Sequence, residues 1–350
     1  MSIQFEIVPK LLRFKKAAGT SRGVYTTRPL WYIVITDSDY PNRKGVGECA
    51  PLHDLSSDYG PHYEEQLRLF AQEFSSRASI AWDKLIDYPS MRFGFEVAWQ
   101  HFTTGSLQLW DSPFTRGEVG IPINGLIWMG SFESMHQQIE EKIKEGFRCI
   151  KLKIGAIDFD QEIELLTYIR NHFSPQEIEL RVDANGAFST ADAFVKLERL
   201  AKLNLHSIEQ PIQAKQWGEM RKLTDSTPLP IALDEELIGI NQLSDKQELL
   251  DAIQPQYIIL KPSLHGGIQG CKEWIAEAEA RNMEWWITSA LESNVGLHAI
   301  AQFTSTFTPS LPQGLGTGAL FIDNVSMPIG VKGDALWYYP EESQNIDLNV

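Results

Sequence analysis

Charged residues recur at regular intervals in the second half of the chain, each near the end of a short apolar segment. They are Lys153, Asp183, Glu209, Asp234 and Lys261, separated by 25 to 30 residues. Because that interval is the length of one strand–helix unit, the charges fall at the same end of successive strands. In a barrel of parallel strands this is the carboxyl-terminal end, where side chains from different strands meet. The spacing predicts one site that combines carboxylates with lysines.

Three of these residues are carboxylates from neighbouring predicted strands. Asp183, Glu209 and Asp234 would repel one another at one barrel mouth unless a cation neutralised them. Oxygen ligands without histidine or cysteine suit Mg²⁺, which Mn²⁺ could replace. Each residue taken alone could instead cap a helix, but their common spacing favours a shared site. We therefore expect these three carboxylates to bind one metal ion.

A pair of lysines comes from the strand that precedes the carboxylates. Lys151 and Lys153 are two residues apart, so both side chains lie on one face of a strand. The other face carries only isoleucine and leucine over 150–154. In a barrel that apolar face packs against the helices, which turns the lysines inward. A solvent-exposed edge strand is the alternative.

Strand-like and helix-like segments alternate from residue 120 to 319. The predicted strands are 122–126, 148–154, 178–183, 206–210, 230–235, 256–261, 284–289 and 311–315. Amphipathic helices are predicted between them, for example over 131–145, 189–203 and 266–281. Eight strands over roughly 200 residues predict an α/β barrel, or a version that lacks its last helix. A doubly wound sheet is the alternative, but the first strand–helix turn has no GxGxxG fingerprint.

The first part of the chain, residues 1–119, has a different organisation. Strands are predicted at 3–13, 30–36 and 45–50, and helices at 61–75 and 90–105. Strands followed by helices indicate a separate α+β domain. The turn-rich, aromatic stretch from about 320 to 350 is expected to pack back on this domain and complete it.

Composition excludes several classes of function. With 31 Lys+Arg against 46 Asp+Glu, the net charge is −15 and no basic face is apparent, so nucleic acid is not an expected partner. No apolar run is long enough for a membrane span, and no secretory signal is visible, so a cytoplasmic location is expected. The three cysteines are far apart and are expected to be reduced. The sequence does not predict an oligomeric state.

Five short motifs follow one another in the barrel region. They are KLK at 151–153, VDAN at 182–185, IEQP at 208–211, LDE at 233–235 and LKP at 260–262. This series resembles the signature of the enolase superfamily, muconate-lactonizing subgroup. The resemblance implies a (β/α)7β TIM-type barrel with an N-terminal α+β capping domain. It also implies Mg²⁺ on the three carboxylates, and Lys151, Lys153 and Lys261 as catalytic residues.

Further segments narrow the resemblance within that subgroup. PINGLIWMG at 122–130, SALESNVG at 289–296 and QGLGT at 313–317 are most similar to the o-succinylbenzoate synthases, although Gly316 replaces an aspartate common there. GVGECAPL at 45–52 is similar to the capping-domain segment that approaches the substrate. The similarity implies a lyase of menaquinone biosynthesis that acts on a small dicarboxylate. Its reaction is the syn dehydration of 2-succinyl-6-hydroxy-2,4-cyclohexadiene-1-carboxylate to 2-succinylbenzoate.

The same resemblance assigns roles around the substrate. A mobile capping loop over 19–28 would bring Ser21, Arg22 and Tyr25 to the substrate. Ser289 and the backbone near Gly314 would hold its succinyl group.

The resemblance also assigns the lysines. Lys153 matches the family's base, and the positive charges of Lys151 and Mg²⁺ would favour its neutral amine, since a lysine pKa is normally near 10.4. Lys261 would place a cation against the ring of the intermediate. Two other functions stay open. One is an N-acylamino-acid racemase or dipeptide epimerase with the same lysines, and the other is a non-catalytic barrel that binds anions.

Overall fold

The computed structural model of the chain describes residues 3–20 and 23–344. Its strands form a three-stranded antiparallel sheet, a curled seven-stranded parallel sheet and a second three-stranded antiparallel sheet. No helix within this described part is long and apolar enough to cross a membrane. The architecture is therefore α/β, with an α+β cap in front of a barrel, as the sequence predicted.

The cap begins with two long strands. β1 (Ile3–Thr20) pairs with β2 (Gly23–Asp37), and β2 pairs with β3 (Lys44–Cys49). The segment 19–28, which we expected to be a mobile loop, is instead mostly the tip of this hairpin, since pairing continues to Thr20 and Gly23. Ser21 and Arg22 lie outside the described residues.

Two helices cover one face of the cap sheet. They are α1 (Tyr63–Arg77) and α2 (Pro89–Thr104), joined through a short 3-10 helix at Trp82–Leu85. Helix α2 lies directly on β3, because a Cβ at Gly47 would come within 2.0 Å of the Gly94 carbonyl oxygen. Only glycine permits that approach. The cap has its own apolar core between the sheet and these helices.

Seven parallel strands form the barrel wall in chain order. They are β5 (Gly125–Ile127), β6 (Cys149–Lys153), β7 (Glu179–Asp183), β8 (Ser207–Glu209), β9 (Ile231–Leu233), β10 (Tyr257–Leu260) and β11 (Glu284–Ile287). In the register of the sheet, Lys153 pairs with Asp183, and Asp183 pairs with Glu209. These three charges are therefore level with one another, whereas Asp234 lies two residues beyond Ala232, the residue that pairs with Glu209.

An eighth, very short segment closes the ring. Gln313 forms a parallel bridge with Ile123 on one side, and Gly314 forms one with Thr288 on the other. The predicted strand at 311–315 is thus reduced to two bridging residues, which still join the first and last strands of the barrel.

Helices connect the barrel strands on the outside. They are α3 (Phe132–Glu145), α4 (Phe159–His172), α5 (Ala193–Ala201), α6 (Trp217–Ser226), α7 (Leu243–Ile253), α8 (Gly267–Glu279) and α9 (Asn294–Ser305). Short 3-10 helices lie at Glu235–Leu237 and Glu342–Gln344. Beyond the closing segment, the described chain contains no further α-helix, which gives the (β/α)7β form.

The described residues after the closing segment pair with two different parts of the chain. β12 (Ile329–Lys332) and β13 (Ala335–Tyr338) form a small sheet with β4 (Ile121–Pro122). The strand predicted at 122–126 is therefore split, because its first residue belongs to this sheet and its last two to the barrel. Phe321, by contrast, bridges to Phe14 of the cap hairpin.

A buried arginine joins the cap to the barrel. The Arg28 side chain is 2% exposed and donates from Nε to the Leu291 carbonyl oxygen at 3.0 Å. Its terminal nitrogens donate to the carbonyls of Ala290, Ala50 and Pro51. One guanidinium thus fixes a cap segment and the loop after β11 relative to each other.

A buried glutamate makes a second connection. Glu48 of β3 accepts hydrogen bonds from the backbone nitrogens of Ser293, at 2.7 Å, and Gly296, at 2.8 Å, at the start of α9. It also accepts one from the Ser293 hydroxyl. Burial raises the pKa of Glu48 to about 7, and these hydrogen bonds only partly offset that rise.

We predict that Glu48→Gln changes how stability depends on pH. The pKa of Glu48 is about 7 in the folded chain against an ordinary value of 4.5, so its ionisation costs the folded state stability as pH rises from about 4.5 to above 7. The stability of the variant relative to wild type should therefore increase by on the order of 2 kcal/mol between pH 5 and pH 8. Urea unfolding at several pH values measures this difference.

The exposed substitution Glu198→Gln controls for the loss of one negative charge. A difference between Glu48→Gln and wild type that stays constant from pH 5 to pH 8 would contradict the prediction.

Candidate active site

A cavity of about 570 Å³ lies where the cap meets the carboxyl-terminal ends of the barrel strands. Charged residues from the strand ends of the barrel line it, namely Lys151, Lys153, Asp183, Glu209, Glu235 and Lys261, and so do Lys142 and Glu145 of α3. Apolar residues also line it, among them Leu52, Leu55, Trp128, Leu291 and Leu320. The cavity therefore has a charged side on the barrel and an apolar side that the cap helps to form.

The lysine pair of β6 contacts the first carboxylate. Lys151 Nζ lies 2.9 Å from Asp183 Oδ2, and Lys153 Nζ lies 3.0 Å from the same oxygen. Lys151 also donates to Glu209. All four side chains are at most 14% exposed, so these ion pairs are largely shielded from solvent.

The third lysine approaches from the opposite wall of the barrel. Lys261 follows β10, which is four strands away from β6. Its Nζ donates to Asp234. The structure thus brings together all six charged residues that the sequence predicted, with lysines on two sides of three carboxylates.

The charges in this cluster shift one another's titration. Burial disfavours the charged form of Asp183, but Lys151 and Lys153 outweigh it and hold the pKa of Asp183 below its usual range. Burial also disfavours the charged form of Lys151, yet Asp183 and Glu209 keep its pKa above the usual value. For Lys151 the two carboxylates therefore outweigh burial and favour the ammonium form.

Glu209 is the carboxylate with the least compensation. Burial raises its pKa well above the usual value, and the negative charge of Asp183 adds to that rise more than the positive charge of Lys151 offsets it. Asp234 differs, because Lys261 overcomes the effect of burial and lowers its pKa. The barrel mouth thus contains one carboxylate that lacks enough positive charge nearby.

The donor set fits a divalent cation such as Mg²⁺. Glu209 Oε1 and Asp234 Oδ1 are both buried without a hydrogen-bond partner among the described residues. Oxygen atoms of this kind are the ligands that Mg²⁺ prefers. As the side chains stand, no three His, Cys, Asp or Glu residues of the described chain are grouped closely enough to hold one ion. The lysine ammonium groups bind these carboxylates instead.

Asn185 belongs to the site, although its residue type and position did not predict a role. Its Oδ1 accepts a hydrogen bond from Lys153 Nζ at 2.9 Å, and its Nδ2 donates to Glu235 Oε1 at 3.0 Å. Its backbone nitrogen donates to Asp183 Oδ1 at 3.0 Å. Asn185 and Glu235 lie in the VDAN and LDE motifs, which were interpreted through their aspartates alone. Together they fix the position of the Lys153 ammonium.

Gln210 helps to position two of the candidate metal ligands, Glu209 and Asp234. It follows Glu209 and is fully buried, with a backbone φ of 37°. Its Oε1 accepts hydrogen bonds from the backbone nitrogens of Asp234, at 3.2 Å, and Glu236, at 3.3 Å. One side chain therefore links the ends of β8 and β9.

Three of the predicted substrate-binding residues line the cavity, and two lie outside the described residues. Ser289 and Gly314 line the cavity, and the Ser289 hydroxyl lies 2.6 Å from the hydroxyl of Thr317, which the sequence analysis did not assign. Tyr25 also lines the cavity, and its hydroxyl donates to Asp54 Oδ1 at 2.5 Å. The predicted contacts of Ser21 and Arg22 fall outside the described residues.

We predict that Gly314→Ala destabilises the barrel. A Cβ at this position would lie 2.1 Å from Thr288 Oγ1 and 2.5 Å from Thr288 Cβ, so the seam between β11 and the closing segment would have to open. The free energy of unfolding should fall by about 1–3 kcal/mol, the usual cost of overpacking. Urea unfolding measures the loss.

Gly316→Ala is the matched control, because its Cβ would have no neighbour closer than 3.5 Å. Equal stabilities for the two variants would show that the contact with Thr288 does not constrain the seam.

Comparison with known proteins extends these observations. Residues 134–323, more than half of the chain, match the family model "Enolase C-terminal domain-like". The o-succinylbenzoate synthase of Desulfotalea psychrophila is 46% identical, and the alignment covers 93% of this chain and 96% of that protein.

Solved structures agree with this similarity. The crystal structure of MenC from Desulfotalea psychrophila superimposes with a TM-score of 0.84 at 41% identity, over 96% of this chain and 100% of that one. A dipeptide epimerase from Enterococcus faecalis, complexed with Mg and the dipeptide L-Leu-L-Tyr, gives a TM-score of 0.82 at 19% identity, over 97% of both chains. The second similarity concerns the fold alone.

Proposed function

The chain belongs to the enolase C-terminal domain-like family and, within it, to the o-succinylbenzoate synthases, and on this premise we propose how its barrel mouth performs the dehydration. The substrate is 2-succinyl-6-hydroxy-2,4-cyclohexadiene-1-carboxylate, which loses a proton and a hydroxide to become 2-succinylbenzoate. The observation that carries the assignment of residues is the convergence of three lysines and three carboxylates beneath one cavity.

Asp183, Glu209 and Asp234 would hold Mg²⁺, or Mn²⁺ in its place. Two unpartnered buried oxygens, on Glu209 and Asp234, support this assignment. The bound cation would supply positive charge beside the substrate carboxylate, where negative charge accumulates when the neighbouring proton leaves.

Lys153 would move the proton. Its Nζ is held by Asp183 and Asn185 at 3.0 and 2.9 Å, so the nitrogen has a defined position at the cavity floor. In its neutral form it takes the proton from the carbon that bears the carboxylate. The same nitrogen then returns that proton to the departing hydroxide, which leaves as water from the same face of the ring.

The other two lysines would act through their charge. Lys151, whose pKa is raised by Asp183 and Glu209 in spite of its burial, remains an ammonium and attracts the substrate carboxylate. Lys261 lies on the opposite wall and presents a cation to the other side of the ring.

The apolar and hydroxyl-bearing parts of the cavity suit the rest of the substrate. The Ser289 and Thr317 hydroxyls lie 2.6 Å apart and share one hydrogen bond, so the hydroxyl that accepts it would donate its own hydrogen to the succinyl carboxylate near Gly314. The leucines of the cap side would cover the ring and exclude water. The cavity thus offers a suitable contact for each part of a dicarboxylate with a six-membered ring.

We predict that Lys153→Ala removes the dehydration activity. Purified wild-type protein with Mg²⁺ should convert the substrate to 2-succinylbenzoate, and the variant should lower kcat by about 10³-fold because the general base is lost. A spectrophotometric assay that follows formation of the aromatic ring measures both rates. The exposed substitution Lys144→Ala is the matched control and should retain activity.

Full activity in Lys153→Ala would exclude Lys153 as the base. A racemase or epimerase would give a different result, namely deuterium exchange from D₂O into the α-carbon of N-succinyl amino acids without dehydration of the ring substrate. That outcome would contradict the proposed reaction while leaving the site intact.

We predict that the activity depends on a divalent cation. Removal of metal with EDTA should abolish turnover, and Mg²⁺ or Mn²⁺ should restore it. Asp234→Asn should weaken Mg²⁺ binding at least about tenfold, because one charged ligand becomes neutral. Isothermal titration calorimetry measures the binding, with the exposed Asp251→Asn as control.

Wild-type protein that binds no Mg²⁺, or Asp234→Asn protein that binds it as tightly as wild type, would exclude this metal site. Either result would instead favour a non-catalytic barrel that binds anions.

A further inference from the structure

Trp128 lines the cavity directly after β5. Its indole is half-buried and packs against the apolar cluster that contains Ala290 and Leu291 of the barrel and Leu52 of the cap. The side chain therefore lies between the two parts of the molecule, at the wall of the cavity.

The main chain of Trp128 is held although the strand has already ended. Its backbone nitrogen donates to Gln138 Oε1 at 2.8 Å, and its carbonyl oxygen accepts from Gln138 Nε2 at 3.2 Å. The Gln138 amide, on α3, thus replaces a neighbouring strand. On the next residue, the Met129 carbonyl oxygen lies 2.8 Å from where a Cβ at Gly19 would be, so the hairpin packs closely there.

The other three aromatic residues of the lining contact neighbouring side chains, and two of them are buried. Tyr25 donates to Asp54, and Trp286 is 2% exposed beneath the guanidinium of Arg181 inside the barrel. Phe147 is 6% exposed with the Lys142 ammonium 5.0 Å from its ring centroid. Of the two half-buried aromatic residues in the lining, Tyr25 and Trp128, Trp128 is the one on the barrel side, where Gln138 holds its main chain.

We propose that Trp128 is a substrate-contacting residue whose indole packs against the six-membered ring, and that it favours ring-shaped dicarboxylates over extended ones. This inference rests on the proposed function. Lys151, Lys153 and the metal-binding carboxylates would act on the substrate carboxylate and the proton beside it, so they do not select for a ring. A rigid aromatic wall does, because a six-membered ring presents a face that packs on it and a flexible chain loses conformational freedom there.

Two variants test whether substrate binding depends on the aromatic surface of residue 128 in a protein that is still folded. Trp128→Leu removes the aromatic face, and KM should rise about tenfold while kcat stays within about threefold, as expected when uniform binding is lost. Trp128→Phe retains an aromatic ring, so KM should rise less than threefold. Circular dichroism verifies that both variants are folded.

A binding experiment tests the contact directly. Titration of wild-type protein with 2-succinylbenzoate in the presence of Mg²⁺ should quench tryptophan fluorescence, and most of that quenching should disappear in Trp128→Phe although the product still binds by calorimetry. Trp217→Phe, which removes an indole outside this cavity, should quench like wild type.

The possible results separate the role of Trp128 from the proposed function. Wild-type protein that turns over the substrate, together with unchanged KM in Trp128→Leu and unchanged quenching in Trp128→Phe, would overturn the role of Trp128 and leave the proposed function standing. Wild-type protein that neither turns over the substrate nor binds the product would overturn both.

Discussion

The site depends on the electrostatic balance of three carboxylates buried at one barrel mouth. Asp183, Glu209 and Asp234 are each at most 2% exposed, and burial of three negative charges together is unfavourable without positive charge close by. Lys151 and Lys261 supply part of it through direct ion pairs. The elevated pKa of Glu209 indicates that this compensation is incomplete. The proposed divalent cation would supply the positive charge that is missing.

Much of the barrel and its charged site could be predicted because both follow from local rules. A strand–helix unit has a characteristic length, so charges repeated at that length must lie at the same end of parallel strands. The alternation around Lys151 and Lys153 fixed which face they occupy. The in-register pairing of Lys153 with Asp183, and of Asp183 with Glu209, is the consequence of that regularity.

The remaining features depend on contacts between distant segments, which no local pattern indicates. Asn185 and Gln210 follow strand ends, but their partners, Glu235 and Asp234, belong to other units. The closing segment at Gln313 pairs for only one residue on each side, too short for a periodicity to be visible. The hairpin was mistaken for a loop because its small and polar residues at 19–28 are typical of turns.

The contacts of Arg28 have a consequence for the order in which the molecule forms. This side chain binds the carbonyls of Ala290 and Leu291, which follow it by 262 and 263 residues. Because a chain is synthesised from its amino terminus, the hairpin exists long before these partners leave the ribosome. The carbonyls of Ala50 and Pro51 are made soon after Arg28, but the two barrel partners become available only after β11 has been made. The cavity therefore cannot be complete before the segment that follows β11 has been made and has docked on the cap.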